Sequence, residues 1–483
     1  MKTKLIVITL ASLSIVLGLL LFVFNEDNVP THTEEAVQSY QLPNGMKILV
    51  VENHRAPVVV SQVWYKVGAS YEHDGLTGLS HVLEHMMFKG TAAHPGGEFS
   101  KIIAANGGNE NAFTGADYTA YFQTIANDRL ELCLKLEADR MQGLLLDEDE
   151  FSKEIEVIKE ERRLRTDDKP TALTYERFNA VAYANNPYHH PVIGWMEDLD
   201  TVNIDDVRKW YKTWYAPNNA TLVVAGDVDA GDVFRLASQY FGPLSPSEIP
   251  VLKPRRETTQ YGTKRLTVAV PAKIPYLIMG YKVPVLMNAK EKWEVYALEV
   301  LSGLLDGGNS ARLSKNLVRG QQIATSAGAS YDMTTRHGTL FTLSAVPNDG
   351  VSTNALERAL REQISAIQTT LPTQKELDRV KAQVVAANVY QQDSSFYQAM
   401  EIGQLETVGL PWQTKDEYIE NVQAITAEQV QQVAIKYLVN SGLTVGVLKP
   451  LSTKMKKKGD EQATTSHNIH QSKNTITGDR HAG

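Results

Sequence analysis

The sequence predicts an α+β fold of two homologous modules, each a mainly antiparallel sheet covered by helices. Runs of β-branched residues alternate with amphipathic helical stretches in both halves of the 483-residue chain. Near the end of each half, an amphipathic helix is followed by a polar turn and a strand. Val207 corresponds to Val430 and Trp214 to Tyr437, and the offset is the same in both pairs (430 − 207 = 437 − 214 = 223). This agreement favours duplication of one module.

The composition suits one large hydrophobic core or two ordinary ones, because 43% of the residues are hydrophobic and 22% are charged. The formal net charge of −8 argues against nucleic acid as a partner, since binding it requires a basic surface. Cys133 is the only cysteine in the sequence. It therefore forms no disulfide within the chain, and we expect a buried structural thiol.

Residues 1–24 have the pattern of an export segment. Lys2 and Lys4 precede twenty uncharged residues, and Glu26 and Asp27 follow them. This distribution of charge predicts that the N-terminus stays in the cytosol while the rest of the chain crosses the membrane. The apolar run is long enough to span a bilayer, so an uncleaved anchor and a cleaved signal both stay open. We expect a protein in the periplasm or on the outer face of the inner membrane.

Composition divides the rest of the chain into further segments. Residues 25–38 are polar and predict a linker, and residues 39–246 form the first module. The Pro-rich segment 247–260 is typical of a connector, and residues 261–450 form the second module. Residues 451–483 lack apolar periodicity and are expected to be disordered.

The first module opens with the signal for a β-hairpin. Asn44 and Gly45 suit a tight turn, and the apolar run Met46–Val51 follows them. A second apolar run, "APVVVSQVWYKVGAS", comes next and predicts another strand of the same sheet.

The stretch "HVLEHMMFKGT", from His81 to Thr91, predicts a helix with a metal-binding face. His81, Glu84 and His85 lie on the side opposite the apolar stripe, and Gly90 is a candidate C-cap. Two imidazoles one turn apart can reach one metal ion, and the adjacent glutamate can act as a general base. A solvated polar face is the alternative, which only a third ligand would exclude. The predicted core-facing stripe consists of Leu79, Val82, Leu83 and Met86.

A second helix, "EFSKEIEVIKEERRLRTDDKP", supplies a candidate third ligand. Glu154 and Glu161 are seven residues apart and therefore share one face of the helix. A carboxylate among apolar residues is unfavourable unless it is paired or bound to a metal. Pairing with Lys153, Lys159 or Arg165 is the alternative that stays open. The predicted stripe consists of Phe151, Glu154, Val157, Ile158, Glu161 and Leu164.

With these two helices, the chain resembles the pitrilysin/insulinase-type zinc metallopeptidases (the inverzincins), which include the mitochondrial processing peptidases. The resemblance runs from about residue 40 to residue 448. The spacings 161 − 85 = 76 and 161 − 154 = 7 are similar to those of the family. The resemblance implies that one zinc ion per chain is held by His81, His85 and Glu161. It also implies that Glu84 is the catalytic base and that Glu154 supports the catalytic site.

The segment "GGNENAFTGADYTAYFQT" looks like the substrate-binding edge strand of that family. The resemblance implies that Asn111, Ala112 and Phe113 bind an extended peptide through main-chain hydrogen bonds. An ordinary hairpin is the alternative.

The segment "NPYHHPVIG" also resembles a segment of the family. We expect structural roles for His189 and His190, because the metal already has three ligands. His73 and His94 receive the same interpretation.

One part of the second half departs from the family pattern. The family often carries an arginine and a tyrosine there that help to bind substrate, but Val318 and Thr325 occupy the two positions. Arg319 and Tyr331 are nearby and out of register. This departure suggests a homodimer, or a heterodimer with a paralogous subunit that supplies the arginine and tyrosine.

The expected function is a zinc-dependent metalloendopeptidase that hydrolyses peptides or unfolded segments outside the cytosol. The resemblance implies that each chain forms a bowl-like half of a substrate chamber. Two alternatives stay open, namely a non-catalytic scaffold subunit of the same fold and a zinc hydrolase of non-peptide amides or esters.

Overall fold

The structure is a computed structural model that describes residues 36–451. The predicted export segment 1–24, most of the linker 25–38 and the tail beyond Leu451 lie outside the described residues. Among residues 36–451, no helix combines the length and the apolar character needed to cross a bilayer.

The described chain contains two β-sheets. The first contains β1 (Gln38–Gln41), β2 (Lys47–Glu52), β3 (Val58–Tyr65), β4 (Asn109–Thr114), β5 (Thr119–Ala126) and β6 (Ala220–Gly226). The second contains β7 (Lys264–Pro271), β8 (Tyr276–Val283), β9 (Ala324–Ser330), β10 (Thr339–Pro347) and β11 (Leu443–Leu451).

Helices accompany both sheets. Those before the connector are α1 (Leu79–Met86), α2 (Glu98–Ala105), α3 (Leu130–Gly143), α4 (Glu148–Arg162), α5 (Pro170–Ala182), α6 (Met196–Leu199), α7 (Ile204–Trp214) and α8 (Ala230–Phe241). Those after it are α9 (Lys292–Asp306), α10 (Thr353–Thr369), α11 (Gln374–Gln392), α12 (Ser395–Val408), α13 (Tyr418–Ala424) and α14 (Ala427–Tyr437).

The two sheets share one strand plan. The first has the order β1-β2-β6-β3-β5-β4 and the second the order β7-β11-β8-β10-β9. In each sheet one neighbouring pair is parallel, β2 with β6 and β7 with β11, and the other pairs are antiparallel. The predicted α+β class with mainly antiparallel sheets is confirmed. The predicted hairpin is also present, with β1 paired to β2 and Gly45 in the turn at a φ of 92°.

The repeat is visible in the last helix and strand of each plan. Asn203 caps α7 and Thr426 caps α14, and both close a capping box in which the side chain at N3 returns a hydrogen bond. These caps keep the offset found in the sequence (426 − 203 = 223). Val207 and Val430 are both fully buried. The strands that follow, β6 and β11, lie inside their sheets.

A helix from the second half covers the outer face of the first sheet. Helix α12 packs on β3 and β6, and Trp64 of β3 is fully buried beneath it. Gly403 makes this close approach possible, since a Cβ there would lie 2.2 Å from the indole ring of Trp64. The apolar contact consists of Leu49, Val51, Val60, Trp64, Ala120, Val223, Ala225, Ala399 and Ile402.

A helix from the first half packs on the second sheet in return. Helix α5 lies on β7, β8 and β11, with Phe178 fully buried at the contact. A Cβ on Gly280 would lie 2.7 Å from the Phe178 ring. The halves are therefore held together by an exchange of helices as well as by the connector.

The connector itself is anchored although it has no regular secondary structure. No helix or strand is assigned between Phe241 and Lys264 in the described chain. Glu257 accepts hydrogen bonds from the backbone N–H groups of Ala184, Asn185 and Asn186, at 2.9–3.0 Å. Although burial opposes it, these bonds and the ammonium group of Lys282 lower the pKa of Glu257 to about 2.

Two local predictions can be compared with the structure. Cys133 is fully buried, as predicted. The prediction of Gly90 as the C-cap of the motif helix is wrong, because α1 ends at Met86 and Met87 is the C-cap. Gly90 instead has a φ of 105° and forms a β-bridge with Pro95. Gly90 therefore belongs to a turn that follows the helix and does not end the helix.

We expect Gly403→Ala to destabilise the protein, because the added methyl group would overlap the buried indole of Trp64. Overpacking of this kind should lower the free energy of unfolding by about 3 kcal/mol. Gly262→Ala is the matched control, since its Cβ would meet no atom within 4 Å. Denaturant unfolding of the parent and both variants measures the difference. Equal stability of Gly403→Ala and Gly262→Ala would contradict the close packing of α12.

Candidate functional site

Helix α1 is fixed by burial of its apolar side and by an acidic cap. Leu79, Val82, Leu83 and Met86 are buried, which confirms the predicted stripe. The buried carboxylate of Glu72 accepts hydrogen bonds from the N–H groups of Gly78 and Ser80, both at 2.7 Å. Burial raises the pKa of Glu72 to about 7. Sequence reasoning missed this residue, since it lies outside the helix.

Helix α4 buries a stripe that only partly agrees with the predicted one: Phe151 and Ile158 are buried as predicted. Val157 and Leu164 are 52% and 57% exposed, so placing them on the inward face was wrong. The buried face centres on residues spaced by four and three, and Leu164 belongs to the π-helical turn Arg163–Asp167 that follows α4. Glu154 and Glu161 therefore lie at the border of the buried face. That buried face consists of Phe151, Ile155, Ile158 and Arg162.

The packing of α1 against α4 brings three potential metal ligands together. The Nε2 atom of His81 lies 3.8 Å from Oε2 of Glu161, and the Nε2 atom of His85 lies 3.3 Å from the same oxygen. One ligand atom from each of the three residues lies within 4.8 Å of the others. Two imidazole nitrogens and a carboxylate oxygen are a donor set that suits zinc.

Hydrogen bonds and ion pairs orient this group. The Nδ1 atom of His85 lies 2.9 Å from Oε1 of Glu154, which leaves Nε2 directed at Glu161. Lys89 forms an ion pair with Glu154, and Arg165 lies 2.8 Å from Oε1 of Glu161. Sequence reasoning missed Lys89, which follows the motif by one helical turn.

The alternative predicted for α4, in which its two glutamates pair with nearby cationic side chains, is only partly present. Of the three cations considered, Arg165 pairs with Glu161. Lys153 pairs with Glu150, and Lys159 pairs with Glu156 and Asp200. The ion pair uses one oxygen of Glu161, and the other oxygen faces the two imidazoles.

The two imidazoles have different electrostatic environments. Burial, the neighbouring His85 and Arg165 lower the pKa of His81 to about 3. Burial opposes the charged form of His85, but its hydrogen bond with Glu154 and the charge of Glu161 raise its pKa. The hydrogen bond with His85, assisted by Lys89, lowers the pKa of Glu154. Glu154 is thus held as a carboxylate that faces the Nδ1 side of one candidate ligand.

Glu84 is connected to the edge of the first sheet. The hydroxyl group of Thr114, the last residue of β4, donates a 2.5 Å hydrogen bond to Oε2 of Glu84. Burial raises the pKa of Glu84, while the bond from Thr114 opposes that shift. Sequence reasoning missed Thr114, although it ends the quoted Asn-Ala-Phe-Thr stretch.

Strand β4 is an edge strand that borders the candidate centre. It pairs with β5 on one side and stands last in its sheet. Asn111, Ala112 and Phe113 line a cavity of about 1300 Å³ together with His81, Glu84, His85 and Glu161. The ring of Phe113 packs edge-on against Trp64 at 5.4 Å, which anchors the strand. An open strand edge beside such a group can pair with an extended chain.

The second half contributes to the cavity, but through other residues than the family pattern suggests. Tyr276, Ser330, Asp332 and Thr339 are among the lining residues. Arg319 donates to the carbonyl group of Asn309, and the hydroxyl group of Tyr331 donates to the carbonyl group of Pro284 at 2.6 Å. Neither they nor Val318 and Thr325 are among the described residues that line this cavity.

The four other histidines considered in the sequence do not belong to this group of three ligands. His94 contacts Asp139 at 2.9 Å, and His73 contacts the carbonyl group of Asp74 at 3.2 Å. His189 and His190 lie in the wall of the cavity, and Asp74 lies beside both.

Comparison with known proteins places the chain among peptidases. Residues 47–194 match the sequence model of the insulinase family, peptidase family M16, and residues 201–384 match that of the peptidase M16 inactive domain. The zinc protease PqqE of Helicobacter pylori is 36% identical over 348 residues, which cover 71% of this chain and 77% of PqqE.

Solved structures agree with this relationship. A protease from Helicobacter pylori superposes with a TM-score of 0.82 at 31% identity, covering 86% of this chain and all of that one. The periplasmic protease PqqL from Escherichia coli has a TM-score of 0.72 at 17% identity. That match covers 93% of this chain and 52% of PqqL, and it shows likeness of fold alone.

We expect Glu154→Gln to weaken zinc binding about 10- to 100-fold, because the carboxylate that orients His85 is lost. Glu160→Gln is the control, as Glu160 is exposed on the same helix and pairs with Arg163. Competition with a chromophoric chelator measures both affinities. Parent-like affinity in Glu154→Gln would contradict a supporting role for this residue.

Proposed function

Because the chain belongs to peptidase family M16, we propose that it is a zinc-dependent metalloendopeptidase. In this proposal, one zinc ion is held by His81, His85 and Glu161. The convergence of their three ligand atoms within 4.8 Å is the observation that carries the proposal. Relatives such as the zinc protease of Helicobacter pylori support both the metal and the reaction.

The donor set fits zinc in its orientation as well as in its chemistry. The Nδ1 atom of His85 is occupied by Glu154, so its Nε2 atom is available as a ligand. The Nε2 atom of His81 points to the same carboxylate oxygen of Glu161. When bound, zinc supplies Lewis acidity, which activates water and polarises a carbonyl group.

Glu84 is the general base in this proposal. Its carboxylate adjoins His85 in sequence and lines the cavity, so it can take a proton from a water molecule that attacks the scissile carbonyl carbon. As the C–N bond breaks, Glu84 returns the proton to the leaving amine, and the products are a carboxylic acid and an amine. Thr114 holds the carboxylate of Glu84 in place.

The substrate in this proposal is an extended peptide that pairs with the edge of β4. Main-chain hydrogen bonds to Asn111, Ala112 and Phe113 would position a peptide without reading its sequence. The side chain of Asn111 accepts a hydrogen bond from the N–H group of Ala112 at 2.8 Å, and an incoming peptide carbonyl would replace it. The edge strand favours a peptide over a non-peptide amide or ester.

A second subunit completes the site in this proposal. Arg319 and Tyr331 bond to carbonyl groups outside the cavity, so they do not supply the family's arginine and tyrosine. This chain matches 52% of the length of PqqL, which leaves room for a second half of similar size in that protein. A homodimer or a heterodimer with a paralogous chain would form the corresponding chamber. Full activity of a zinc-loaded monomer would refute the partner.

The proposed location is outside the cytosol. The charge pattern of residues 1–24 supports export, and the structural neighbour PqqL is a periplasmic protease.

The central experiment is digestion of an unbiased peptide library by the purified chain, before and after chelation and after zinc is restored. We expect Glu84→Gln to keep its zinc and to lose activity by about 100-fold or more, because the base is removed. Metal analysis of the same preparations separates a chemical defect from metal loss. Chelator-insensitive cleavage, or parent-like cleavage by Glu84→Gln, would refute the proposal.

We expect Thr114→Val to lower kcat about tenfold with little change in KM, since it removes a hydrogen bond to a charged group. Thr114→Ser restores the hydroxyl group and should recover most of the rate. Steady-state kinetics at equal zinc content measures kcat and KM separately for each variant. If valine and serine have the same kcat, Thr114 does not position the base.

A further inference from the structure

A second group of potential metal ligands includes two histidines from the wall of the same cavity. It consists of Asp74, His189 and His190, whose ligand atoms lie within 4.8 Å of one another. His189 ends the 3-10 turn Pro187–His189, and Asp74 belongs to the loop before α1. We propose that these three side chains bind a second divalent cation of the zinc type. The proposal stands independently of the peptidase function.

The distances suit one ion. The Nε2 atom of His190 lies 3.0 Å from Oδ1 of Asp74, and the Nε2 atom of His189 lies 4.0 Å from the same oxygen. Ligand atoms around a tetrahedral zinc ion are about 3.4 Å apart, given zinc–ligand bonds of about 2.1 Å. The side chain of Asp74 is 94% exposed, so a small adjustment of the carboxylate gives this geometry.

A hydrogen bond at Nδ1 of His189 leaves its Nε2 atom as the acceptor that faces Asp74. Its Nδ1 atom lies 2.7 Å from the carbonyl oxygen of Asn186. A carbonyl oxygen only accepts, so Nδ1 carries the proton and the Nε2 lone pair points toward Asp74. Two acceptors that face each other repel unless a proton or a metal cation lies between them, so this position attracts a cation. A backbone carbonyl at Nδ1 is also how proteins orient metal-binding histidines.

His190 supplies the rigid part of the group. Its side chain is 1% exposed. Its ring centroid lies 4.0 Å from the ring centroid of His189, and the two ring planes form an angle of 81°. The Nδ1 atom of His190 is buried and has no hydrogen-bond partner among the described residues. Packing and the hydrogen bond between its Nε2 atom and Asp74 therefore hold the ring, and a bound cation would replace the proton in that bond.

The donor set selects the class of cation. Two imidazoles and one carboxylate suit zinc and its neighbours cobalt, nickel and copper, whereas magnesium and calcium prefer oxygen ligands. Binding would join the loop before α1 to the turn Pro187–His189. Asp74 is two residues from Glu72, which caps α1, so the ion would stiffen the approach to the motif helix.

The experiment measures zinc binding to the full chain after treatment with chelator, by calorimetry and by metal analysis after dialysis at defined free zinc. We expect a tight event and a weaker one in the parent. Asp74→Asn and His189→Gln should each weaken the second event about tenfold or more, because each removes one ligand. Magnesium at millimolar concentration should not compete.

Two further variants make the result specific. His85→Gln should lose the tight event and keep the weaker one, which tests the proposed catalytic centre separately. His54→Gln is the matched control: His54 contacts Asp227 at 2.6 Å but belongs to neither group of three. It should bind zinc like the parent.

Thermal unfolding in chelator shows whether a variant is folded, and unfolding in zinc shows whether zinc still stabilises it. We expect Asp74→Asn to match the parent in chelator and to gain less from zinc. The proposal is overturned if Asp74→Asn and His189→Gln both keep the parent's weaker event, or if magnesium displaces zinc from it.

Discussion

The packing of α1 against α4 is the interaction on which the candidate centre depends. Helix α1 presents two imidazoles one turn apart, and α4 presents a carboxylate that neither helix could place alone. The distances of 3.3 and 3.8 Å from Glu161 to the imidazoles follow from this contact. A carboxylate in such a place is costly unless it has partners. Arg165 on one oxygen and two imidazoles opposite the other provide them.

Each of the two glutamates beside the candidate ligands has its own bonding partners. Glu154 bonds to Nδ1 of His85 and to Lys89, while Glu84 bonds to Thr114 of the edge strand. The strand proposed to hold the peptide therefore also holds the proposed base. A displacement of β4 would move both, so substrate position and base position are mechanically linked.

The exchange of α5 and α12 between the halves shapes the cavity, because α5 lines it and α12 supports the edge strand that borders it. Trp64 lies beneath α12 and stacks edge-on with Phe113 of the edge strand, so the second half supports the strand that borders the centre. In the opposite direction, α5 sits on the second sheet through Phe178. Lining residues from both halves meet in one cavity as a result. The second half is thus a structural part of the site.

Sequence patterns predicted the elements well and the buried faces less well. The apolar stripe of α1 was correct because its four members recur at helical spacing with no competing stripe. On α4 the choice of Val157 and Leu164 was wrong, because apolar and charged residues alternate on several faces and the neighbouring helix decides which is buried. Gly90 was misplaced for a similar reason, since glycine suits a turn as well as a helix end.

The sequence by itself determined the α+β class, the repeat with its offset of 223 residues, and the pattern of two histidines and three glutamates on two helices. These depend on residues within a few turns of one another, or on copying of one module. Only the tertiary structure decided which groups meet: Lys89 with Glu154, Thr114 with Glu84, and Asp74 with the two histidines of the cavity wall. Such contacts depend on the packing of whole elements, and no local pattern encodes the relative position of segments that are 30 to 116 residues apart.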